Sequence, residues 1–250
     1  MDKIKCAVCG GQKIRKESDL YVCQTCGIEY TLGQVQELYY QKNLKQEDLL
    51  AKAKECYRRK EYRKSCRLCQ QLLASGAKEP EAQLYLALSQ ARLHFHSKSA
   101  REQLVRGTSA AIATKRQAGI GRSYFDFCSR ALGEVLVLGL AYEEAAEKVF
   151  YAETSHLDSS SPITIAQAEK RLSKEVLASW ETCDQVARAC VSGIEDFSEA
   201  GSGFWDLIAA MLDDLNINAK RGIASSERLQ EERTFFAKLQ KAPCLFEEIS

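Results

Sequence analysis

Four cysteines in two Cys-x-x-Cys pairs carry the clearest chemistry in this chain. Cys6-Ala-Val-Cys9-Gly10-Gly11 is the first pair, and Cys23-Gln-Thr-Cys26-Gly27 follows after thirteen intervening residues. Two residues between cysteines let one tight turn aim both sulfurs at a single ion. The glycine after each second cysteine suits a backbone that needs positive φ. Tetrahedral thiolate coordination favours zinc over harder metals. Four thiolates also fill the coordination sphere and leave no place for a reacting water, so the ion is expected to be structural. A two-iron cluster uses the same ligand set and is the competing occupant. A disulfide framework would suit a secreted chain, and a redox dithiol needs one such pair beside a βαβ pattern. Nothing else in the sequence supports either.

The other candidates are weaker. Cys66-Arg-Leu-Cys69 is a third such pair, and with Cys56, His94 or His96 it raises the question of a second metal. Without a partner pair these residues read better as small side chains packed in a helical hairpin. His94 and His96 are two residues apart and point to different sides of a helix. Gly119-x-Gly121 and Gly201-x-Gly203 lack both the dinucleotide fingerprint and a phosphate-loop lysine, and read as helix breaks. Glu143, Glu144, Glu147, Asp213 and Asp214 lie on helical segments, where a solvated face is the ordinary role. Arg58, Arg59, Lys60, Arg63, Lys64 and Arg67 form a dense basic run with Tyr57 and Tyr62 interleaved. Several share a helical side, as a nucleic-acid or partner contact would require. Charge runs of this kind are more often solvated or docked on acidic surfaces. No nucleophile, acid–base pair or phosphate loop emerges, so a non-enzyme is expected.

These residues sit in a chain of 250 with three prolines and fourteen glycines, a scarcity of breakers that favours long helices. Net charge is +1, but residues 1–122 hold 23 Lys/Arg against 12 Asp/Glu, whereas residues 123–250 hold 12 against 22. A basic half therefore precedes an acidic one. The N-terminus has no apolar leader, and the longest apolar stretch, 131–142, is too short and too interrupted for a bilayer span. Eleven cysteines, seven of them outside the two pairs (Cys56, Cys66, Cys69, Cys128, Cys183, Cys190, Cys244), fit a reducing compartment. A cytoplasmic protein that does not enter membranes is expected.

Around the cysteine pairs, Lys13–Lys16, Leu20–Val22 and Ile28–Tyr30 are short strand candidates, with Glu17-Ser18-Asp19 as a turn. So small a segment buries too little to fold without its metal. The Cys-x-x-Cys-Gly knuckle, the hairpin and Tyr21-Val-Cys-Gln-Thr-Cys-Gly-Ile-Glu-Tyr30 resemble the zinc ribbon of transcription factor IIB type. The form found at the start of many bacterial helical proteins of unassigned role is especially similar. The resemblance covers about residues 1–33 and implies a small β ribbon. Such ribbons contact polymerases, nucleic acids or other proteins, or cap a fold.

Thr31 with Gln34 forms a capping box that opens a helix carrying Val35, Leu38 and Tyr39. Leu49, Leu50, Ala53, Cys56 and Tyr57 form an apolar stripe, and Tyr62, Ser65, Cys66, Cys69, Leu72 and Leu73 form another beyond a turn at Lys60-Glu61. Gly76 stops that helix and Pro80 opens the next. The two stripes, with Ala53, Ser65, Tyr62 and Ala87, resemble a tetratricopeptide unit over about one and a half repeats, without its usual Trp and Gly. Helix pairs of this family present a groove to a protein partner. Residues 97–119 are expected to form one or two short helices. Long helices are expected from Ser123 to Leu157 and from Pro162 to Glu199, joined by an Asp158–Pro162 linker. Two more span Phe204–Lys220 and Ser225–Lys241. The fold class is thus mainly α: a ribbon (1–33), a tetratricopeptide-like region (34–122) and an antiparallel helical bundle (123–250). The function these features favour is a non-enzymatic adaptor with one structural Zn²⁺ on Cys6, Cys9, Cys23 and Cys26 and a protein partner. The alternative is a nucleic-acid-binding or transcription accessory protein that uses the ribbon and the basic half.

Overall fold

The computed structural model describes residues 5–9, 11–17, 20–76, 78–94, 97–155 and 162–240, with side chains except at 37, 39–46, 162 and 163. Gly10, the Ser18-Asp19 turn, His96, His156, the linker before Pro162 and Cys244 lie outside these residues. The chain divides into two compact units, Met1–Leu86 and Ala87–Ser250, and the division falls within one helix.

The first unit opens with three short strands, β1 (Ile14–Glu17), β2 (Leu20–Cys23) and β3 (Glu29–Tyr30), in an antiparallel sheet of order β1-β2-β3. Ile14 pairs with Cys23 and Glu17 with Leu20, while Tyr21 pairs with Tyr30. Thr31 then caps α1 (Leu32–Arg58): its hydroxyl accepts from Gln34 N–H, and the Gln34 side chain accepts from Thr31 N–H at 2.9 Å. The helix expected after the cap and the Leu49–Tyr57 stripe belong to one helix of 27 residues, because no glycine or proline lies between Gln34 and Arg58 to break it. Val35 and Leu38 of α1 pack on Tyr21 and Tyr30, which ties the helix to the sheet.

α1 ends in a Schellman turn, with Lys60 N–H bonded to Tyr57 O and Glu61 N–H to Cys56 O. Lys60 takes the left-handed position, φ +63°. α2 (Tyr62–Ala74) folds back along α1 and buries Ser65, Cys66, Cys69 and Leu72. α3 (Pro80–Leu93) meets α1 through Tyr85 on Tyr57, with ring centroids 5.3 Å apart, and through a Lys54–Glu81 ion pair.

The second unit contains α4 (Lys98–Gln117), α5 (Arg122–Thr154), α6 (Pro162–Val191), α7 (Ser202–Lys220) and α8 (Ser226–Gln240). Their directions follow from which side chains meet. Along α5, Tyr124, Val135, Gly139 and Glu153 face Cys190, Cys183, Ser179 and Arg171 of α6, so the two run antiparallel. α7 runs with α5, since Gly133 lies by Leu207 and Glu147 pairs with Arg221. α4 and α8 both run with α6, through Arg101–Glu175 with Arg116–Ala189 and through Glu181–Arg228 with Arg188–Glu232. Consecutive helices therefore alternate in direction, as short connections require. α4, expected as one or two helices, is a single helix of 20 residues and packs on α5 and α6. α6 stops at Val191, short of the expected Glu199, where Gly193 turns the chain at φ +70°.

The bundle core is aromatic and aliphatic. Trp180, Tyr124, Phe125, Phe127, Phe204 and Phe236 are all fully buried. Trp180 Nε1 donates to Met211 O at 3.0 Å, which satisfies its one polar atom. Gly139 sets the closest approach of α5 to α6: a Cβ there would lie 2.9 Å from Cys183 Sγ and 3.2 Å from Ser179 Oγ. No described helix is long and apolar enough to cross a membrane.

Candidate metal centre

The two cysteine knuckles adopt one geometry twice. Cys6 N–H bonds to Gly11 O at 2.8 Å, and Cys23 N–H to Ile28 O at 2.9 Å, each five residues on. Cys6 Sγ accepts from the Val8 and Cys9 N–H groups, and Cys23 Sγ from those of Thr25 and Cys26. Cys9 Sγ accepts from Gly11 N–H and Cys26 Sγ from Ile28 N–H. Equal spacing and equal turn chemistry thus fold into equal ligand pairs. Gly27 takes φ +74°, the positive value expected after the second cysteine. Gly11 is needed for closeness: a Cβ there would meet Thr25 Oγ1 of the other knuckle at 2.6 Å.

The hairpin register brings the pairs face to face. Cys6 and Cys26 sulfurs are 3.6 Å apart, as are those of Cys9 and Cys23. All four ligand atoms lie within 4.8 Å of one another. A tetrahedral ion with metal–sulfur bonds of about 2.3 Å sets its sulfurs about 3.8 Å apart. A disulfide would require about 2.05 Å, and all four thiols are free. One ion at the centre fits this span, whereas two sulfide-bridged irons would hold the cysteine pairs further apart. Cys6 and Cys23 are buried while Cys9 and Cys26 are exposed, so the cluster has an inner and an outer side.

Tyr30 is the residue that spacing did not reveal. Its hydroxyl accepts from Ala7 N–H at 3.1 Å and lies 2.9 Å from Cys6 Sγ, to which it donates. The signal was its place as an inward residue of β3, but its reach to Cys6, 24 residues earlier, depends on the sheet. The Tyr30 hydroxyl bond holds the Cys6 thiol down to about 6. The Gly11 N–H draws Cys9 down, yet Cys26, partial desolvation and Cys23 together push it up to about 12. Four thiolates this close repel one another, and only a cation lets all of them ionise. Filling the site releases protons and weakens as pH falls.

Residues 1–32 match the model of a zinc ribbon domain family. No curated protein and no solved structure matches the chain. The N-terminus is therefore a zinc ribbon of that family's type, and its four cysteines form a metal site consistent with zinc.

The remaining candidates distribute as follows. Cys56, Cys66 and Cys69 are buried among the α1–α2 contacts, and desolvation pushes the Cys69 thiol up to about 12. Among the described residues, the ribbon cysteines are the one group gathered as metal ligands. His94 is exposed beyond the end of α3. Arg58, Arg59, Lys60, Arg63, Lys64 and Arg67 are all exposed around the α1–α2 turn. Arg58 and Arg59 pair with Glu55, and Lys64 pairs with Glu61. Lys60, Arg63 and Arg67 make no ion pair among the described residues. Glu144 and Asp213 are solvated as expected, but Glu143 and Asp214 are not. They turn inward between α5 and α7, where burial, Asp214 and Glu147 push Glu143 up to about 8.

Proposed function

We propose that the protein is a non-enzymatic adaptor, in which one structural Zn²⁺ on Cys6, Cys9, Cys23 and Cys26 holds a ribbon that docks on a protein partner. The observation that carries this reading is the closure of the site. Four convergent sulfurs complete a tetrahedron, so the ion has no position for substrate and serves the fold. Among its exposed side chains the ribbon has three large apolar ones: Val8, 67% exposed, with Ile28 and Leu32 also open to solvent. In this reading these three side chains are the ones that meet the partner. The likeness to transcription factor IIB ribbons supports docking on a larger machine. The α1–α2 hairpin, with α3 laid on α1, supports a tetratricopeptide-like platform beside it, although α1 is over twice the dozen residues usual for such a helix. The test pairs zinc analysis with Val8→Asp. One zinc per chain is expected, with a partner held by the wild type and lost by the variant at unchanged zinc content. A second zinc, or a partner indifferent to Val8, would defeat the reading.

A second reading, nucleic-acid binding, rests on Lys60. Its Schellman position in α1 corresponds to Gly222 at the end of α7, which has φ +73°. A left-handed lysine costs about 1–2 kcal/mol against glycine. A strained residue among unpaired cations is a reasonable mark of function. The ribbon adds nothing to this basicity. Residues 1–33 hold five Lys/Arg and four Asp/Glu, and four thiolates with Zn²⁺ add −2, so the loaded ribbon carries about −1. Binding would centre on the α1–α2 turn. Arg63→Glu with Arg67→Glu should then flatten the salt dependence of any RNA or DNA affinity; an unchanged slope would remove this reading.

A further inference from the structure

At Gly139 the helices α5 and α6 nearly touch, but toward the C-terminal part of α5 they part around small residues. Ala145, Ala146 and Ala168 leave a cavity of about 490 Å³, with Val149, Phe150 and Leu172 on its apolar side. This is within the range of small-molecule sites, which combine an apolar body with a few convergent polar groups. The polar groups here are mostly cations. Lys98, Arg101, Arg171 and Lys174 line the cavity against two carboxylates, Glu153 and Glu175. Each carboxylate is already paired, Glu153 with Arg171 at 2.6 Å and Glu175 with Arg101 at 2.8 Å. Lys174 makes no ion pair among the described residues, and the nearest carboxylate oxygen to Lys98 is Glu102 at 3.9 Å. Lys174 is therefore the cation at the mouth without a carboxylate partner among the described residues, and Lys98 has only this long contact to Glu102.

The cations are also placed together. Arg101 is only 12% exposed and lies over the Tyr142 ring, 5.6 Å from its centroid. Arg92 adds positive potential at Tyr142, and its buried Nε has no hydrogen-bond partner among the described residues. A second cavity of about 270 Å³, between α4 and α6, shares Lys98, Arg101, Lys174 and Glu175 with the first and is also lined by Glu102 and Glu181. Lys98, Arg101 and Lys174 thus stand at the waist between the two cavities.

We propose that this trough is a binding site for a single-chain amphiphile with a carboxylate head, the class of a medium-chain fatty acid. The acyl chain lies along Ala145, Ala146, Val149 and Leu172, and the carboxylate meets Lys98, Arg101 and Lys174 at the waist, where a charge-assisted contact fixes its direction. This site lies wholly in the second unit and is independent of the ribbon reading.

The test is calorimetric titration of the full zinc-loaded chain with dodecanoate below its micelle concentration. One saturable site is expected. Dodecanol and dodecyltrimethylammonium, with the same chain but neutral and positive heads, should bind at least ~tenfold more weakly. Lys98→Glu with Lys174→Glu, both exposed, should weaken dodecanoate by a similar factor at unchanged Tm, and Ala146→Phe should fill the trough and abolish binding. Absence of saturable binding, equal affinity for dodecanol, or binding indifferent to the lysine variant would overturn the proposal. Tighter binding of dodecyl phosphate than of dodecanoate would overturn the carboxylate assignment.

Discussion

In the ribbon, the buried core is Cys6, Cys23, Tyr30 and Val35, and two of these four are cysteines of the candidate metal site. In the bundle, α5 alone buries ten residues, among them Tyr124, Phe125, Phe127 and Leu132. Both contain cysteines, but these serve opposite ends. Ribbon thiols converge within 4.8 Å and need a cation to ionise together. Cys183 in the bundle is pushed far up by desolvation, so it stays a neutral thiol packed by Gly139. A short segment cannot remove enough apolar surface from water to offset chain entropy, so metal ligation supplies what burial does not. Long amphipathic helices can bury enough, and their cysteines act as small hydrophobes.

The sharpest way to break this contrast is Cys23→Ser, or a strong chelator. The β1–β2–β3 sheet should be lost completely, read as vanished strand amide protection in hydrogen exchange, while amides of α5 and α6 keep theirs. Retained strand protection without metal would mean that the ribbon has a sufficient core of its own. Next in size is Trp180→Ala. It removes a fully buried indole, its bond to Met211 and the Arg228 guanidinium over its face, and should cost about 3–5 kcal/mol in denaturant unfolding with zinc content unchanged.

Gly139→Val places a Cβ 2.9 Å from Cys183 Sγ and should cost about 1–3 kcal/mol. Paired with Cys183→Ala it should recover part of that loss, which separates crowding from helix propensity. The smallest effect is electrostatic. Glu143 is held at about 8 in the folded chain, against 4.5 ordinarily, by burial, Asp214 and Glu147, with Arg221 opposing. The folded state therefore binds this proton more tightly than the unfolded one. Its contribution is complete below about pH 4.5 and is lost as pH rises through about 8. Because the carboxyl is partly exposed, the effect is on the order of 1–2 kcal/mol. Glu143→Gln should flatten the Tm difference between pH 6 and pH 9; an unchanged difference would place the titration elsewhere.

Much of this was legible in the sequence. The Cys6, Cys9, Cys23 and Cys26 spacing announced its turn, because each knuckle is a local structure closed by its own backbone. Thr31 with Gln34 marked the start of α1 for the same reason. α5, α7 and α8 lie close to the segments their apolar periodicity marked, whereas α6 ends before the expected Glu199. Less legible was anything that depended on which element came near. Gly139 gave no local sign that it was a helix crossing point, since glycine in a helix reads as a weakness until a neighbour needs the space. Glu143 and Glu144 are adjacent and chemically alike, yet one faces Asp214 and the other pairs with Lys148 in solvent.

By itself, then, the sequence determined the two paired cysteine knuckles, the mainly helical class and the charge split between its halves. These are properties of short spacings and composition, carried by neighbours along the chain. The tertiary structure alone decided that Tyr30 serves Cys6, that Glu143 is turned inward, and that Lys98, Arg101 and Lys174 gather beside an apolar trough. Each of those depends on distances between residues far apart in sequence, which are set only when helices pack and the sheet closes.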